Sequence, residues 1–114
     1  MNILVIDDDT GLRSVLQTFL QVLGYSVVVA KDGEEGLLTF KSGEFDLIFT
    51  DLVMPGAEGL EVIMQIKELK PATPIIAITG YDKYSDLATA LDVDQVLYKP
   101  FTLDQVKESV DQYL

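Results

Sequence analysis

Residues 3–9 read Ile-Leu-Val-Ile-Asp-Asp-Asp, a short apolar run that ends directly in three carboxylates. The four apolar residues show no polar alternation, which is typical of a β-strand buried on both faces. Such strands belong to parallel sheets that are covered by helices on both sides. The stretch therefore predicts an α/β fold with acidic side chains at the carboxyl end of its first strand.

Similar apolar runs recur along the chain and alternate with segments of helical period. We predict five strands, at residues 3–6, 26–30, 46–50, 74–78 and 95–98. Apolar residues spaced by three and four predict helices at residues 12–23, 32–41, 60–69, 85–91 and 103–113. Five strand–helix units predict a doubly wound, flavodoxin-like (βα)5 domain whose parallel sheet has the order 2-1-3-4-5.

Composition limits the class of protein. The chain has 114 residues, 8 basic and 19 acidic, for a net charge of −11. Since domains span about 100–200 residues, we predict one domain over residues 1–114. Without cysteine or histidine the chain has no disulfides, thiol nucleophiles or imidazole ligands.

The negative charge argues against direct nucleic-acid binding. No apolar run approaches the ~20 residues of a membrane span, and no basic leader precedes the first strand, so we expect a cytoplasmic protein without a membrane partner.

Polar side chains stand at the ends of four of the predicted strands. Asp7 and Asp8 follow the first strand, Asp51 ends the third, Thr79 the fourth and Lys99 the fifth. Ligands of open parallel sheets bind outside the carboxyl ends of the strands, where the strand order reverses. Because strands 1 and 3 are neighbours in the predicted order, we expect their acids to converge in one crevice. Each residue also has an ordinary alternative role, as a helix cap, a turn residue or a solvated charge.

Convergent carboxylates raise one another's pKa unless a cation neutralises their charge. The Lys99 ammonium is one candidate cation, and a divalent metal is another. A site with oxygen ligands alone favours a hard ion, Mg²⁺ or Mn²⁺. Such a site suits phosphoryl transfer, in which an aspartate can itself be the nucleophile.

In their order and spacing these residues resemble the receiver domain of bacterial two-component response regulators, of the single-domain kind found in chemotaxis and sporulation. The resemblance covers the whole chain. It rests on residues 3–9, on Asp-Leu-Val-Met-Pro-Gly at 51–56 continuing to Gly59, on Ile-Ile-Ala-Ile-Thr-Gly at 75–80, and on Lys-Pro-Phe at 99–101.

The resemblance implies a role for each acid. Asp51 would be the phosphoacceptor, taking a phosphoryl group from the phosphohistidine of a sensor histidine kinase or a histidine phosphotransfer protein. Asp7 and Asp8 would hold Mg²⁺ together with Asp51 and the backbone carbonyl of Val53. Lys99 would pair with a phosphoryl oxygen. The protein would catalyse its own phosphorylation and slow dephosphorylation without turning over a small substrate.

The resemblance also implies a switch. Thr79 would bond a phosphoryl oxygen and move with it, and a cis bond before Pro100 would aim Lys99 into the site. The surface of the fourth helix, the fifth strand and the fifth helix would then change. A downstream protein target or effector domain would recognise that surface, and phosphorylation could drive dimerisation.

The sequence departs from the family pattern at the switch and around the fourth helix. Val96 stands where the family often has a switch aromatic, and Tyr98 follows on the same strand face. The interval from Thr79 to Lys99 is shorter than usual, and Asp92-Val93 replaces the usual Gly-Ala before the fifth strand. We therefore count Val96, Tyr98 and Pro100 as switch candidates.

Two further positions, two residues past the acceptor and two past the threonine, tend to tune dephosphorylation in the family. Here they hold Val53 and Tyr81. Neither side chain has a carboxylate or amide that could orient an attacking water. We therefore expect slow intrinsic loss of the phosphoryl group.

Three rival functions use similar residues. A haloacid dehalogenase-type phosphatase needs Asp-x-Asp-x-Thr after its first strand, but here Gly11 occupies the last position and Thr10 comes one place early. A flavodoxin-like FMN binder needs a phosphate-binding loop where this chain carries three carboxylates. A pseudo-receiver would be an interaction module that works without phosphorylation.

Overall fold

The structure is a computed structural model that describes residues 1–52, 58–80 and 91–114. Its strands are β1 (Asn2–Ile6), β2 (Ser26–Ala30), β3 (Leu47–Asp51), β4 (Ile75–Thr79) and β5 (Gln95–Tyr98). Its helices are α1 (Thr10–Val22), α2 (Gly33–Ser42), α3 (Glu58–Leu69) and α4 (Leu103–Tyr113). The strand ends agree with the predicted ones to within one residue. The helix predicted at residues 85–91 falls almost wholly outside the described residues, so α4 is the helix predicted as the fifth.

The strands form one parallel sheet in the order β2-β1-β3-β4-β5. This is the predicted order. β1 and β3 lie side by side in the middle of the sheet, in a register that pairs Ile6 with Thr50. The residues that follow Ile6 and Thr50 in the two strands therefore come together at the same edge of the sheet.

Within the described part of the chain, two helices cover each face of the sheet. Alternate strand residues enter different cores, because successive side chains of a strand point to opposite faces. Ile3 and Val5 contribute to the core under α1 and α4, whereas Leu4 and Ile6 contribute to the core under α2 and α3. Both faces of β1 are thus buried, which is why its sequence shows no polar alternation.

Side-chain caps fix where the helices begin. The Asp9 carboxylate accepts a hydrogen bond from Leu12 N at 3.2 Å and caps α1. Asp32 caps α2, and Thr102 with Gln105 forms a capping box at α4. None of the helices within residues 1–52, 58–80 and 91–114 is long and apolar enough to cross a membrane.

The turn before β5 explains one departure from the family pattern. Asp92 has a φ of 59°, in the left-handed region that favours glycine. Aspartate enters this region more readily than most residues, because its short polar side chain can bond locally. The backbone of the turn therefore adopts a conformation suited to glycine although the residue is different.

Candidate functional site

The acids that follow β1 and end β3 meet at one edge of the sheet. Asp7, Asp8 and Asp51 each offer one carboxylate oxygen, and these three oxygens lie within 4.8 Å of one another. Asp7 and Asp51 are buried, and Asp8 is exposed. The adjacency of two parallel strands brings these three carboxylates together, so the crevice expected from the sequence is present.

Lys99 supplies a positive charge to this cluster. Its Nζ lies 2.9 Å from Asp51 Oδ2 and 3.5 Å from Asp7 Oδ2. Its backbone N donates to Thr79 O at 2.8 Å, which continues the pairing of β4 with β5 by one residue. The Lys99–Pro100 peptide bond is cis, as the resemblance implied.

Burial and charge shift the ionisation of two groups in the site. The pKa of Asp7 rises from 3.8 to about 6, chiefly because burial disfavours the charged carboxylate. The hydrogen bond from Asp9 N opposes that rise, and the neighbouring charge of Asp51 adds to it. Burial alone would lower the pKa of Lys99, but its bonds and charge attraction to Asp51 and Asp7 outweigh burial and raise it. Lys99 is therefore a firmly protonated cation.

The site has more negative charge than Lys99 can balance. Asp7 Oδ1 accepts from Asp9 N at 2.8 Å, but Asp7 Oδ2 is buried without a hydrogen-bond partner among the described residues. The 3.5 Å separation from Lys99 Nζ is too long for a strong hydrogen bond. Oxygen ligands around an unsatisfied, buried carboxylate oxygen are the chemistry that a hard divalent cation requires. The cluster can therefore hold a metal ion.

The proposed switch residues lie along the edge formed by β4 and β5. Thr79 is buried at the end of β4 and lies opposite Tyr98 in the strand register. Val96 packs partly against the core under α2 and α3, whereas the Tyr98 side chain is 43% exposed. Val53 and Tyr81 lie outside the described residues, so the structure does not locate the expected carbonyl ligand or the dephosphorylation positions.

Sequence reasoning missed Arg13, which lies against the acidic turn. Its Nη1 donates to Asp7 O at 2.6 Å. A signal was available, because Arg13 is the only arginine in the sequence. A charged residue in a predicted helix is normally interpreted as a solvated side chain. That interpretation does not anticipate that Arg13 contacts the turn before the helix.

A groove opens beside Lys99, between α1 and the segment that joins β5 to α4. Its volume is about 530 Å³. Its walls contain both charged and apolar side chains, among them Asp9, Lys99, Leu12, Val15, Phe101 and Leu103. Apolar surface therefore lies directly next to the charged site.

The sequence model for the response regulator receiver domain matches residues 3–111. The chain belongs to this family. Among solved structures, the response regulator TrrA from Thermotoga maritima, solved in complex with Mg²⁺-BeF, is 39% identical and superposes with a TM-score of 0.91 over 99% of this chain and 98% of that one. The Vibrio cholerae chemotaxis protein CheY4 superposes with the same TM-score at 27% identity, over 99% of this chain and 98% of that one.

Curated relatives of the receiver domain are longer proteins. The response regulator MprA of Mycolicibacterium vanbaalenii is 38% identical over 108 residues, which cover 93% of this chain and 47% of MprA. The probable transcriptional regulator ycf27 of Porphyridium aerugineum is 36% identical over 114 residues, 98% of this chain and 47% of that protein. The chain thus spans about half the length of these relatives.

Membership of the family fixes the general class of function. The chain is a response regulator receiver domain of two-component systems, a class that pairs with histidine kinases. Neither the haloacid dehalogenase-type phosphatase nor the pseudo-receiver is favoured by these findings.

Proposed function

We propose that this receiver domain accepts a phosphoryl group on Asp51, in a Mg²⁺-dependent reaction, from the phosphohistidine of a sensor histidine kinase or a histidine phosphotransfer protein. One observation carries the proposal: a buried carboxylate, Asp51, lies 2.9 Å from the Lys99 ammonium and within reach of two further carboxylates. A nucleophile beside a fixed cation and a candidate metal site is the arrangement that phosphoryl transfer needs.

Asp7, Asp8 and Asp51 would hold the metal ion, with the Val53 carbonyl as a further ligand. Their oxygens suit Mg²⁺ best and Mn²⁺ second, since both are hard ions. Asp7 Oδ2 supports this assignment, because it has no hydrogen-bond partner within residues 1–52, 58–80 and 91–114 and a bound cation would supply one. The chemistry that Mg²⁺ contributes in such a site is neutralisation of the charge on the phosphoryl oxygens.

The chain's own residues account for the bond changes. A carboxylate oxygen of Asp51 attacks the phosphorus of the donor phosphohistidine, the P–N bond breaks, and its electron pair returns to the donor's imidazole nitrogen. The product is an acyl phosphate on Asp51. Lys99 stays protonated and pairs with a phosphoryl oxygen as a point charge. Thr79, at the end of β4, would donate its hydroxyl to another of these oxygens.

Phosphorylation would replace one negative charge on Asp51 by about two and so bias Thr79 and the loop after β4 between two arrangements. Val96, Tyr98 and Pro100, which lie on or next to β5, would carry that change to the surface. Tyr98 would act in place of the aromatic residue that the family often has at the position of Val96. Slow loss of the phosphoryl group, expected from Val53 and Tyr81, would keep the switch on.

The proposed partners are proteins. The groove beside Lys99 exposes apolar side chains next to the charged site, which supports contact with a protein donor. Relatives named as transcriptional regulators support an effector domain or protein target as the output, with phosphorylation-dependent dimerisation as one route. We also propose a cytoplasmic location.

Small-molecule phosphorylation tests the proposal. The chain is incubated with acetyl phosphate in Mg²⁺ buffer and in EDTA, and its intact mass is followed. We expect the mass of one phosphoryl group to be gained in Mg²⁺, largely lost in EDTA, and absent in Asp51→Asn. Asp46→Asn, which changes an acid at the amino end of β3, is the matched control and should be labelled like the wild type. Labelling of Asp51→Asn at the wild-type rate would show that the acceptor is another residue.

A further inference from the structure

Arg13 lies on the second turn of α1 and points back toward the turn that carries the acids. Its guanidinium makes two contacts, from Nη1 to Asp7 O at 2.6 Å and from Nη2 to Thr10 Oγ1 at 3.3 Å. The first contact is short and charge-assisted, a class of hydrogen bond roughly twice as strong as a neutral one. A planar fork with several donors can make both contacts at once, which a lysine ammonium cannot do in the same geometry.

These contacts complete the fixation of Asp7. Its backbone N donates to Ala30 O at 3.1 Å, and its Oδ1 accepts from Asp9 N at 2.8 Å. Arg13 holds the remaining backbone group, the carbonyl. With these three groups held, the Oδ2 atom stays directed toward Asp51 and Lys99.

We propose that Arg13 is a positioning residue for the cation site: by holding the Asp7 carbonyl and Thr10, it sets the turn after β1 so that the carboxylates of Asp7 and Asp8 meet that of Asp51. The inference rests on the proposed function, because it assigns Arg13 to the Mg²⁺ site postulated there. Residues that orient metal ligands without touching the metal typically change metal affinity by about 10–100-fold when they are mutated.

The direction in which Mg²⁺ affinity changes when Arg13 is replaced distinguishes a positioning role from a purely electrostatic one. Arg13 is a positive charge close to the site, so its removal would by Coulomb's law alone make a divalent cation bind more tightly. Loss of positioning has the opposite effect, because the carboxylates would no longer be held together before the ion arrives. Weaker binding in a neutral variant therefore cannot come from the charge change.

The test is calorimetric titration with Mg²⁺ at constant ionic strength and pH 8. We expect the wild type to bind one ion, Arg13→Gln to bind it about tenfold more weakly, and Arg13→Lys to fall between them. Lys107→Gln removes one positive charge from an exposed pair on α4 and is the matched control, with affinity like the wild type. Unfolding curves in EDTA establish that each variant is folded at the titration temperature.

A second readout uses acetyl phosphate. The rate of phosphorylation should require about tenfold more Mg²⁺ for half-saturation in Arg13→Gln, with a plateau near that of the wild type. If Arg13→Gln does not fold, the Mg²⁺ affinity of Arg13→Lys decides the test, because lysine keeps the positive charge but lacks the planar guanidinium with its several donors. Affinity in Arg13→Gln, or in Arg13→Lys, equal to or tighter than the wild type would overturn the inference and leave the proposed function standing. A wild type that takes up no Mg²⁺ would overturn both.

Discussion

Asp7 lowers the stability of the metal-free fold but serves the proposed function. It is fully buried at the end of a central strand, and its Oδ2 lacks a hydrogen-bond partner among the residues described. Burial raises its pKa to about 6, which means that the folded chain resists the charge that a metal site requires. Asp8, the next residue, lies at a bend after β1 and is exposed.

The raised pKa of Asp7 predicts a pH dependence of stability in the absence of metal. Its folded pKa of about 6 lies above its ordinary value of 3.8, so between these values the folded state holds a proton that the unfolded chain has lost. The stabilising contribution is present below pH ~4 and is lost as the pH rises through about 6. Asp7→Asn removes this titration, and its free energy of unfolding in EDTA should exceed that of the wild type at pH 7.5 by on the order of 1–3 kcal/mol.

Urea unfolding in EDTA at pH values from 4 to 7.5 measures this difference. We expect the wild type and Asp7→Asn to approach one another in stability toward pH 4 and to diverge above it. A constant difference over the whole range would mean that Asp7 titrates normally in the folded chain.

At the scale of elements, the sequence predicted those features of the structure that depend on hydrophobic periodicity and on strand order. Uninterrupted apolar runs predicted the strands, and the parallel order predicted that the acids after β1 and β3 would meet. Contacts made by long side chains were not predictable in this way. The strand ends placed Lys99 at the same edge as the acids, but the spacing does not show which carboxylate Lys99 contacts, or that Arg13 turns back to the Asp7 carbonyl. Such directions depend on rotamers and on the packed backbone.

Gly59 illustrates how a helix can constrain the end of a strand. α3 begins so close to β3 that a Cβ atom at Gly59 would overlap the carbonyl oxygens of Leu52 and Asp51. Both obstacles are backbone atoms, so the helix or the end of β3 would have to shift. The close approach explains why the sequence has a glycine at this position.

We therefore expect Gly59→Ala to lower the free energy of unfolding by about 1–3 kcal/mol, as other overpacked substitutions do. Gly80→Ala is the matched control, since the nearest atom to its added Cβ would be Lys99 Cβ at 3.9 Å. Its effect should stay within about 1 kcal/mol. Chemical unfolding of the two variants decides the matter. Equal stabilities would show that α3 can move away from β3 at little cost.

At the scale of the whole molecule, the fold concentrates negative charge in an already negative protein. The net charge is −11, and three carboxylates share one edge of the sheet with one lysine. The same architecture and topology recur in TrrA and CheY4 at a TM-score of 0.91. The fold is therefore kept among sequences that differ at most positions.

Paramagnetic broadening by Mn²⁺ tests most directly whether the acids ending β1 and β3 form one cation site. Amide spectra are recorded while Mn²⁺ is added in substoichiometric amounts. We expect the amides of Asp8, Asp9 and Leu52 to broaden first, those of Asn2 and Asp94 at the opposite end of the sheet to stay sharp, and added Mg²⁺ to reverse the effect. Broadening spread evenly over the acidic surface, or confined to the opposite end, would contradict the account.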